Sequence, residues 1–193
     1  MDPYKADVEK ANHLLDQAGL KKGAGGMRAA LSVDYLPGGS EQQKNVAEYL
    51  KPQLRKIGID VTVRTSPDFP TWAKRVSSQE FDMTMDAVFN WGDPVIGVHR
   101  TYLSSNIRPG VIWSNTQSYS NPEVDDLLAR ASVERDVPKR RAMYQEFQKV
   151  VVEEAPIAFI NVLPYFSVYE KNLRNLPTTI WGATAPIDEM YRE

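Results

Sequence analysis

The 193-residue chain has no cysteine and only two histidines, His13 and His99. Without cysteine it can form no disulfide, zinc ribbon or thiol nucleophile. The two histidines are far apart and have no acidic or histidine companions at metal-ligand spacing, so we predict no metal site and no cofactor. No Gly-x-Ser-x-Gly motif surrounds a serine, which gives a hydrolase elbow no support. A Ser-His-Asp triad needs no proximity in sequence and stays open at this point.

The chain also lacks a long apolar run and a strong charge of either sign. No run of 18 apolar residues is present, so we predict no membrane span. A net charge of -2 gives no reason to expect nucleic acid or an anionic membrane as a partner. The first residues contain no apolar stretch typical of a signal peptide. Hydrophobic residues at 42% and charged residues at 25% are the ordinary composition of a globular protein.

Hydrophobic periodicity predicts helices and strands in alternation. Period-two apolar patterns predict strands at 27–34, 59–64, 81–89, 157–162 and 165–169. Apolar stripes at helical spacing follow the predicted capping residues Asp7, Asp68, Asn121 and Asp136. A helix over 41–57 joins the first two strands through short connections, which predicts a parallel βαβ unit. The predicted fold class is therefore α/β, with a mostly parallel sheet flanked by helices, and 171–193 carries no clear pattern.

One loop stands out as a candidate recognition site. The predicted strand 81–89 runs directly into Asn90-Trp91-Gly92-Asp93-Pro94. Ligands of open α/β sheets bind at the carboxyl ends of strands, so Asn90, Trp91 and Asp93 are predicted ligand contacts. Trp113 is a fourth candidate because it lies in a long loop predicted at 104–120, and long loops inside compact domains are often functional.

Each candidate also has a simpler structural interpretation. Asp followed by Pro is a common helix start, so Asp93 is as well explained as an N-cap of a helix over 94–103. Trp91 is equally suited to a core, and Asn90 is more typical of a turn. Asp82 and Asp86 share one face of the predicted strand, where solvation or an ion pair is a simpler role than acid–base chemistry. The basic run 139–141, which includes Arg140, is interpreted as a solvated helix face.

Several segments together resemble the family 5 extracytoplasmic solute-binding proteins of bacterial ABC importers for peptides, oligopeptides and nickel. The matching stretches keep the family's order over roughly residues 4 to 170. They are YKADVEKA (4–11), LLDQAG (14–19), LRKIGIDV (54–61), FDM and WGDP (81–94), NPEVDDLL (121–128), and RAMY and EEAP (141–156). Each motif alone is weak, and the ordered set carries the resemblance.

The resemblance implies one lobe of a bilobal periplasmic-binding-protein fold. Residues 1–170 would be the C-terminal ligand-binding lobe, and 171–193 would return toward an N-terminal lobe that this sequence does not contain. The implied function is solute binding without catalysis. The implied partners are a peptide or other small solute, the other lobe and an ABC permease, in the periplasm or another extracytoplasmic place.

The ligand class is less clear, because one family feature is absent. Peptide-binding members commonly place an acidic residue between the Trp and the Asp-Pro, where it holds a peptide amino group. Only Gly92 separates Trp91 from Asp93 here. Either Asp93 takes that role or the ligand is one of the family's other solutes, such as a sugar, an opine, glutathione or chelated nickel.

Two other functions stay open. One is an α/β hydrolase-type enzyme that uses Asp86 and Asp93. The other is a sensory ligand-binding domain of a transcription regulator, since similar lobes occur fused to such regulators. Turnover that depends on both aspartates would favour the first, and an adjoining DNA-binding domain would favour the second.

Overall fold

The computed structural model of the chain describes residues 5–38, 41–162 and 166–193. The chain divides into two compact units. The first comprises Met1–Val88 and Ser105–Ser118, and the second comprises Phe89–Ser104 and Tyr119–Glu193. The boundary predicted at residue 170 stays a prediction. Among the described residues, no helix combines the length and the apolar character needed to cross a membrane.

The first unit is an α/β unit around a parallel sheet. Its strands pair in the order β2-β1-β3, with β1 parallel to both neighbours. The elements in chain order are α1 (Val8–Gln17), β1 (Ala29–Asp34), α2 (Glu41–Arg55), β2 (Ile59–Arg64), α3 (Phe69–Ser77) and β3 (Met83–Thr84). The predicted βαβ unit β1-α2-β2 and the parallel sheet are confirmed. The residue before α2 is Ser40, a residue type that favours a helix cap, and it lies outside the described residues.

The core of this unit lies between the sheet and α2. Val33, Val61 and Met85 are buried from the strand side, and Ala47 is buried on α2. The turn from α2 into β2 depends on Gly58, which has φ +83°. A Cβ there would also lie 2.9 Å from the Gly26 carbonyl oxygen, so a larger residue would be strained by backbone and neighbour alike.

A buried carboxylate organises the carboxyl edge of the sheet. Asp34, the last residue of β1, is fully buried. Its Oδ1 accepts hydrogen bonds from Arg64 Nε at 2.9 Å and from Arg75 Nη1 at 2.5 Å. Arg64 ends β2 and Arg75 lies on α3, so one carboxylate ties two strands and a helix together. Removing one member of such a buried set leaves a charge without its partner, which is strongly destabilising.

The second unit is mainly helical. It contains α4 (Pro94–Tyr102), α5 (Pro122–Val133) and α6 (Val137–Glu154), and the predicted caps Asn121 and Asp136 are confirmed. A short antiparallel ladder, β4 (Leu173–Arg174) with β5 (Tyr191–Arg192), lies in the segment that carried no sequence pattern. The core joins the three helices through Tyr102, Val124, Leu128, Phe147 and Val151.

Three predicted strands are wrong or shortened. The strand predicted at 81–89 pairs only over Met83–Thr84, because after Met85 donates to the Asp34 carbonyl no further ladder bonds form. Residues 157–162 form no strand. Ile157 packs against the core of the second unit, but Phe159, Ile160 and Val162 are exposed, so most of the apolar pattern faces away from a core. Of the strand predicted at 165–169, Tyr165 lies outside the described residues, and 166–169 form no ladder with any described residue.

Candidate functional site

The loop 90–93 leads into α4, and Asp93 is the cap of that helix. Asp93 has extended backbone geometry, and its Oδ1 accepts a hydrogen bond from the backbone N–H of Val95 at 2.9 Å. Pro94 follows at the first helical position, where its missing N–H costs nothing. The predicted N-cap role is therefore confirmed, and Trp91 lies two residues before this cap.

Arg140 on α6 binds the same carboxylate. Its Nη2 lies 2.9 Å from Asp93 Oδ1 and 3.0 Å from Asp93 Oδ2, and its Nε donates to the carbonyl of Ala131 at 3.0 Å. The interpretation of Arg140 as a solvated residue was wrong, although Lys139 and Arg141 beside it are exposed. The Arg140 guanidinium, together with the N–H of Val95, lowers the pKa of Asp93 and keeps it ionised.

Two further polar side chains, His99 and Tyr144, adjoin the Asp93–Arg140 pair. His99 on α4 is buried, and its Nε2 lies 3.0 Å from the hydroxyl of Tyr144 on α6. The guanidinium carbon of Arg140 lies 5.4 Å from the centre of the Tyr144 ring, within cation–π range. Burial lowers the pKa of His99, and the positive charge of Arg140 acts in the same direction. Through these contacts, His99 and the cap residue Asp93 connect α4 to Arg140 and Tyr144 of α6.

Gly97 allows the loop to lie close to α4. A Cβ on Gly97 would come within 2.6 Å of Asn90 Cα and 2.9 Å of the Phe89 carbonyl oxygen. A contact of that kind with backbone atoms cannot be relieved by moving a side chain, so any larger residue would displace the loop. Asn90 itself is exposed, as a contact residue or a turn residue would be.

Trp91 belongs to an aromatic stack and not to the core. Its ring lies 5.4 Å from Phe89, nearly parallel, and 4.8 Å from Trp181. Phe89 and Trp181 both remain substantially exposed, and Trp91 is partly exposed. Because Phe89 and Trp181 come from distant parts of the chain, the Phe89–Trp91–Trp181 stack is formed by the tertiary fold of the second unit.

An apolar groove of about 320 Å³ adjoins Asn90 in the same unit. Aliphatic and aromatic side chains of α4 and α6 form most of its wall, with the amides of Asn90 and Gln148 as polar points. The lining residues are Asn90, Val98, Tyr102, Phe147, Gln148, Val151, Val152 and Phe159. Grooves that combine apolar walls with a few polar groups are typical of ligand sites.

The other predicted residues lie in the first unit. Trp113 packs against Phe69, with ring centres 5.8 Å apart. Asp82 accepts hydrogen bonds from the backbone N–H and the hydroxyl of Ser32 at 2.8 and 2.7 Å, and Asp86 accepts one from the N–H of Ala87 at 2.7 Å. Asp82 therefore has a structural role. Over residues 5–38, 41–162 and 166–193, no cluster of three or more His, Asp or Glu side chains could hold a metal ion.

Residues 1–110 match the family model for bacterial extracellular solute-binding proteins, family 5 Middle. This match covers more than half of the chain. The chain belongs to family 5 of the bacterial extracellular solute-binding proteins. The predicted resemblance is confirmed, and with it the α/β class with a parallel sheet flanked by helices.

Two curated relatives are much longer than this family 5 chain. Protein XP55 of Streptomyces lividans is 30% identical over 92% of the chain and 33% of its own length. The glutathione-binding protein GsiB of Shigella dysenteriae is 28% identical over 89% of the chain and 33% of its own length. The chain spans about a third of the length of these curated relatives.

A solved structure with the same fold contains a bound peptide. It is the ABC transporter-associated periplasmic binding protein DppA of Helicobacter pylori in complex with the peptide STSA. It is 25% identical to the family 5 chain, with a TM-score of 0.64, and the match covers 81% of this chain and 29% of DppA. The matched part of this chain therefore has the fold of one part of a periplasmic binding protein.

Sequence reasoning missed Arg140, Phe89 and Trp181 as parts of this site. One signal for Arg140 was present. Basic side chains in the first turn of a helix oppose the helix dipole, so the run 139–141 at the start of α6 is unfavourable unless an acidic partner is near. No comparable local signal marks Trp181, because its partner Trp91 is distant in sequence.

Proposed function

We propose that this chain is the peptide-binding lobe of an ABC importer's solute-binding protein. The observation that supports it most is the partly exposed Phe89–Trp91–Trp181 stack in the second unit. Asn90, which lies between Phe89 and Trp91 in the chain, also lines an apolar groove of that unit. A short peptide offers both apolar side chains and backbone amides to such a surface. The bound ligands named for DppA and GsiB, a peptide and glutathione, are both peptide compounds. The proposed setting is extracytoplasmic, with a second lobe and an ABC permease as partners.

Within the proposed site, Trp91 and Asn90 make the main contacts. The indole supplies a large apolar face at little cost in conformational entropy, and the Asn90 amide supplies a donor and an acceptor for a peptide bond. Asp93 is proposed as a weaker third contact. Its carboxylate is partly exposed, but Arg140 already balances its charge, so a peptide ammonium gains less from it than from an unpaired carboxylate.

Native mass spectrometry of the full chain tests the proposal. The chain is mixed with a pool of tripeptides, a disaccharide and nickel with histidine, and the retained solute is identified by mass. We expect tripeptide adducts, lost in Trp91→Ala and kept in Trp91→Phe, because phenylalanine retains an aromatic face. Selective retention of the sugar or the nickel complex, or adducts that survive Trp91→Ala unchanged, would contradict the proposal.

The same spectra separate binding from catalysis. A binding lobe returns each tripeptide at its intact mass after prolonged incubation. Cleavage products that disappear in both Asp86→Asn and Asp93→Asn would instead support the hydrolase interpretation. We propose that no cleavage occurs, because Arg140 holds Asp93 as an ionised helix cap, a poor state for a proton donor.

A further inference from the structure

Trp113 has an unusual backbone for a large residue. Its φ is +55°, in the left-handed region that bulky side chains rarely adopt and that Gly, Asn and Asp tolerate best. Despite that cost, its side chain is not buried, because 42% of the residue is exposed. Burial therefore offers little compensation for the strain. Strained residues of this kind concentrate at ligand-binding positions, where the surrounding structure holds them in place.

The loop around Trp113 is firmly attached to the first unit. The N–H of Gly110 donates to the carbonyl of Ser77 at 2.7 Å, and the N–H of the buried Asn115 donates to the carbonyl of Asn106 at 3.1 Å. Further along, Gln79 Nε2 lies 2.6 Å from the Ser118 hydroxyl. Loop 105–118 is thus held at several points, which keeps Trp113 in its strained conformation before any ligand arrives.

Trp113 forms the outer end of a second aromatic row. Its ring centre lies 5.8 Å from Phe69, and Phe69 lies 5.8 Å from Trp72. Trp72 is completely buried, whereas Phe69 is 40% exposed. The row is therefore anchored in the unit at Trp72 and open to solvent at Phe69 and Trp113.

The aromatic row begins near the carboxyl edge of the sheet, and this location favours a small solute as its ligand. Phe69 begins α3 directly after the loop that follows the carboxyl end of β2. Parallel α/β sheets bind small ligands at that edge. The neighbouring Asp68 caps α3, because its carboxylate accepts a hydrogen bond from the N–H of Thr71 at 2.8 Å. This carboxylate therefore already has a partner at the start of the helix.

We propose that Trp113 and Phe69 form an aromatic-selective site of their own within the first unit, which takes the aromatic side chain of a peptide. This inference rests on the proposed peptide-binding function and adds a preference that the function alone does not contain. Two apolar faces, one of them fixed in place by a strained loop, match a flat ring better than a branched aliphatic group. The strained backbone at Trp113 would then position the indole to contact the aromatic ring of the peptide.

Fluorine NMR of the full chain, with all tryptophans replaced by 5-fluorotryptophan, tests this aromatic-selective site. The four tryptophans give four resonances, which are assigned by changing each to phenylalanine in turn. The chain is titrated with Ala-Phe-Ala, Ala-Leu-Ala and Ala-Lys-Ala. We expect the Trp91 resonance to respond to all three peptides and the Trp113 resonance to respond to Ala-Phe-Ala, with an affinity about threefold or more above Ala-Leu-Ala.

Trp113→Asn separates a recognition role from a structural one. Asparagine tolerates positive φ, so this variant should melt at or above the temperature of the parent chain while losing the preference for Ala-Phe-Ala over Ala-Leu-Ala. A lower melting temperature with the preference retained would overturn the inference.

The titration also distinguishes this inference from the proposed function. If Trp91 responds and Trp113 does not, the aromatic-selective site is rejected and peptide binding stands. If Trp113 responds to Ala-Lys-Ala more strongly than to Ala-Phe-Ala, the site is cationic in preference and the aromatic assignment is wrong. If no resonance responds to any peptide, both proposals fail.

Discussion

Asp93 shows how one side chain can satisfy two interpretations of a motif. From the sequence, Asp93 before Pro94 is equally well explained as a helix cap or as a ligand contact. The structure confirms the cap through Val95 and adds an ion pair with Arg140. The cap is local and predictable from Asp-Pro. The ion pair joins residues 47 positions apart, which no local pattern specifies.

Asp93→Asn and Asp93→Ala should separate the two structural roles. Asparagine keeps an acceptor for the Val95 N–H but loses the charge that pairs with Arg140, so we expect a loss of about 0–1 kcal/mol in the free energy of unfolding. Alanine also removes the cap, which should cost about 1 kcal/mol more. Urea unfolding measures both. Asp126→Asn, in an exposed pair with Arg130, is the matched control. Equal losses for asparagine and alanine would mean that the cap contributes nothing.

His99 predicts a pH dependence of stability between pH 7 and pH 5. Burial lowers its folded-state pKa below 6.5, so the unfolded chain binds a proton more readily. Stability is therefore full above about pH 6.5 and falls as the pH drops below it. Among the groups that face His99, Arg140 reinforces this direction and Asp93 opposes it. The pKa of Asp93 is lowered from 3.8, so its own contribution is lost only in more acidic solution.

Melting curves of the parent chain and His99→Gln at several pH values test this dependence. Glutamine can still bond to Tyr144 but does not titrate, so the variant should lose less stability than the parent between pH 7 and pH 5. His13→Gln, on the exposed side of α1, is the control. Parallel curves for the parent and His99→Gln would show that His99 is not the source of the dependence.

At the scale of elements, α1 is held by a side chain that its own pattern does not reveal. The cap at Asp7 is confirmed by a bond of 2.8 Å from the Lys10 N–H. The apolar residues of α1 predict a buried face, yet no residue of the helix is buried. Arg28 supplies the attachment instead. Its side chain is 2% exposed and donates to the Ile57 carbonyl and to Asn12 Oδ1, both at 2.9 Å, and to the Asp16 carboxylate at 2.5 Å.

Arg28→Ala should release α1 without unfolding the sheet. The substitution removes the bonds from α1 to the α2–β2 turn, and few apolar contacts remain to replace them. We expect amide hydrogen exchange in Val8–Gln17 to accelerate by at least about tenfold, with β1 and β2 still protected. Arg55→Ala, which breaks only an exposed pair with Asp60, is the control. Unchanged protection in α1 would refute the role assigned to Arg28.

The elements that the sequence predicts well are those with local signals at both ends. The βαβ unit has a capped or glycine-bounded helix between two short strands, and all three elements form as predicted. The strands predicted at 81–89 and 157–162 had only an alternating apolar pattern. Such a pattern indicates that a segment suits a pleated surface, but it does not indicate whether a neighbouring strand is available for pairing. The same holds for the candidate site. Local signals predicted the loop 90–93, but they did not predict its partners Arg140 and Trp181, which are distant in sequence.

At the scale of the whole molecule, the second unit exposes many large apolar side chains. Val162 and Val168 are 91% and 89% exposed, and Phe159, Phe166 and Tyr191 are also exposed. Exposed apolar surface of this kind is typical of an interaction site. The proposed second lobe is its expected cover, in keeping with relatives about three times as long as this chain.

The double change Val162→Ser with Val168→Ser tests this interpretation. Because both side chains already face solvent, we expect binding of the dye ANS to fall while the melting temperature stays the same within error. Val151→Ser, at a buried position on α6, should lower the melting temperature and serves as the contrast. A clear loss of stability in the double variant would mean that these valines pack within the chain.

The central claim is that a peptide binds this chain at the loop before α4. Amide chemical-shift mapping of the full chain with millimolar Ala-Ala-Ala tests it most directly, because shifts report even weak binding and locate it. We predict saturable shifts at Asn90, Trp91 and Gly92, and in the groove-lining residues of α4 and α6. Shifts absent from 89–93 at the highest peptide concentration, or confined to residues outside the second unit, would contradict the account.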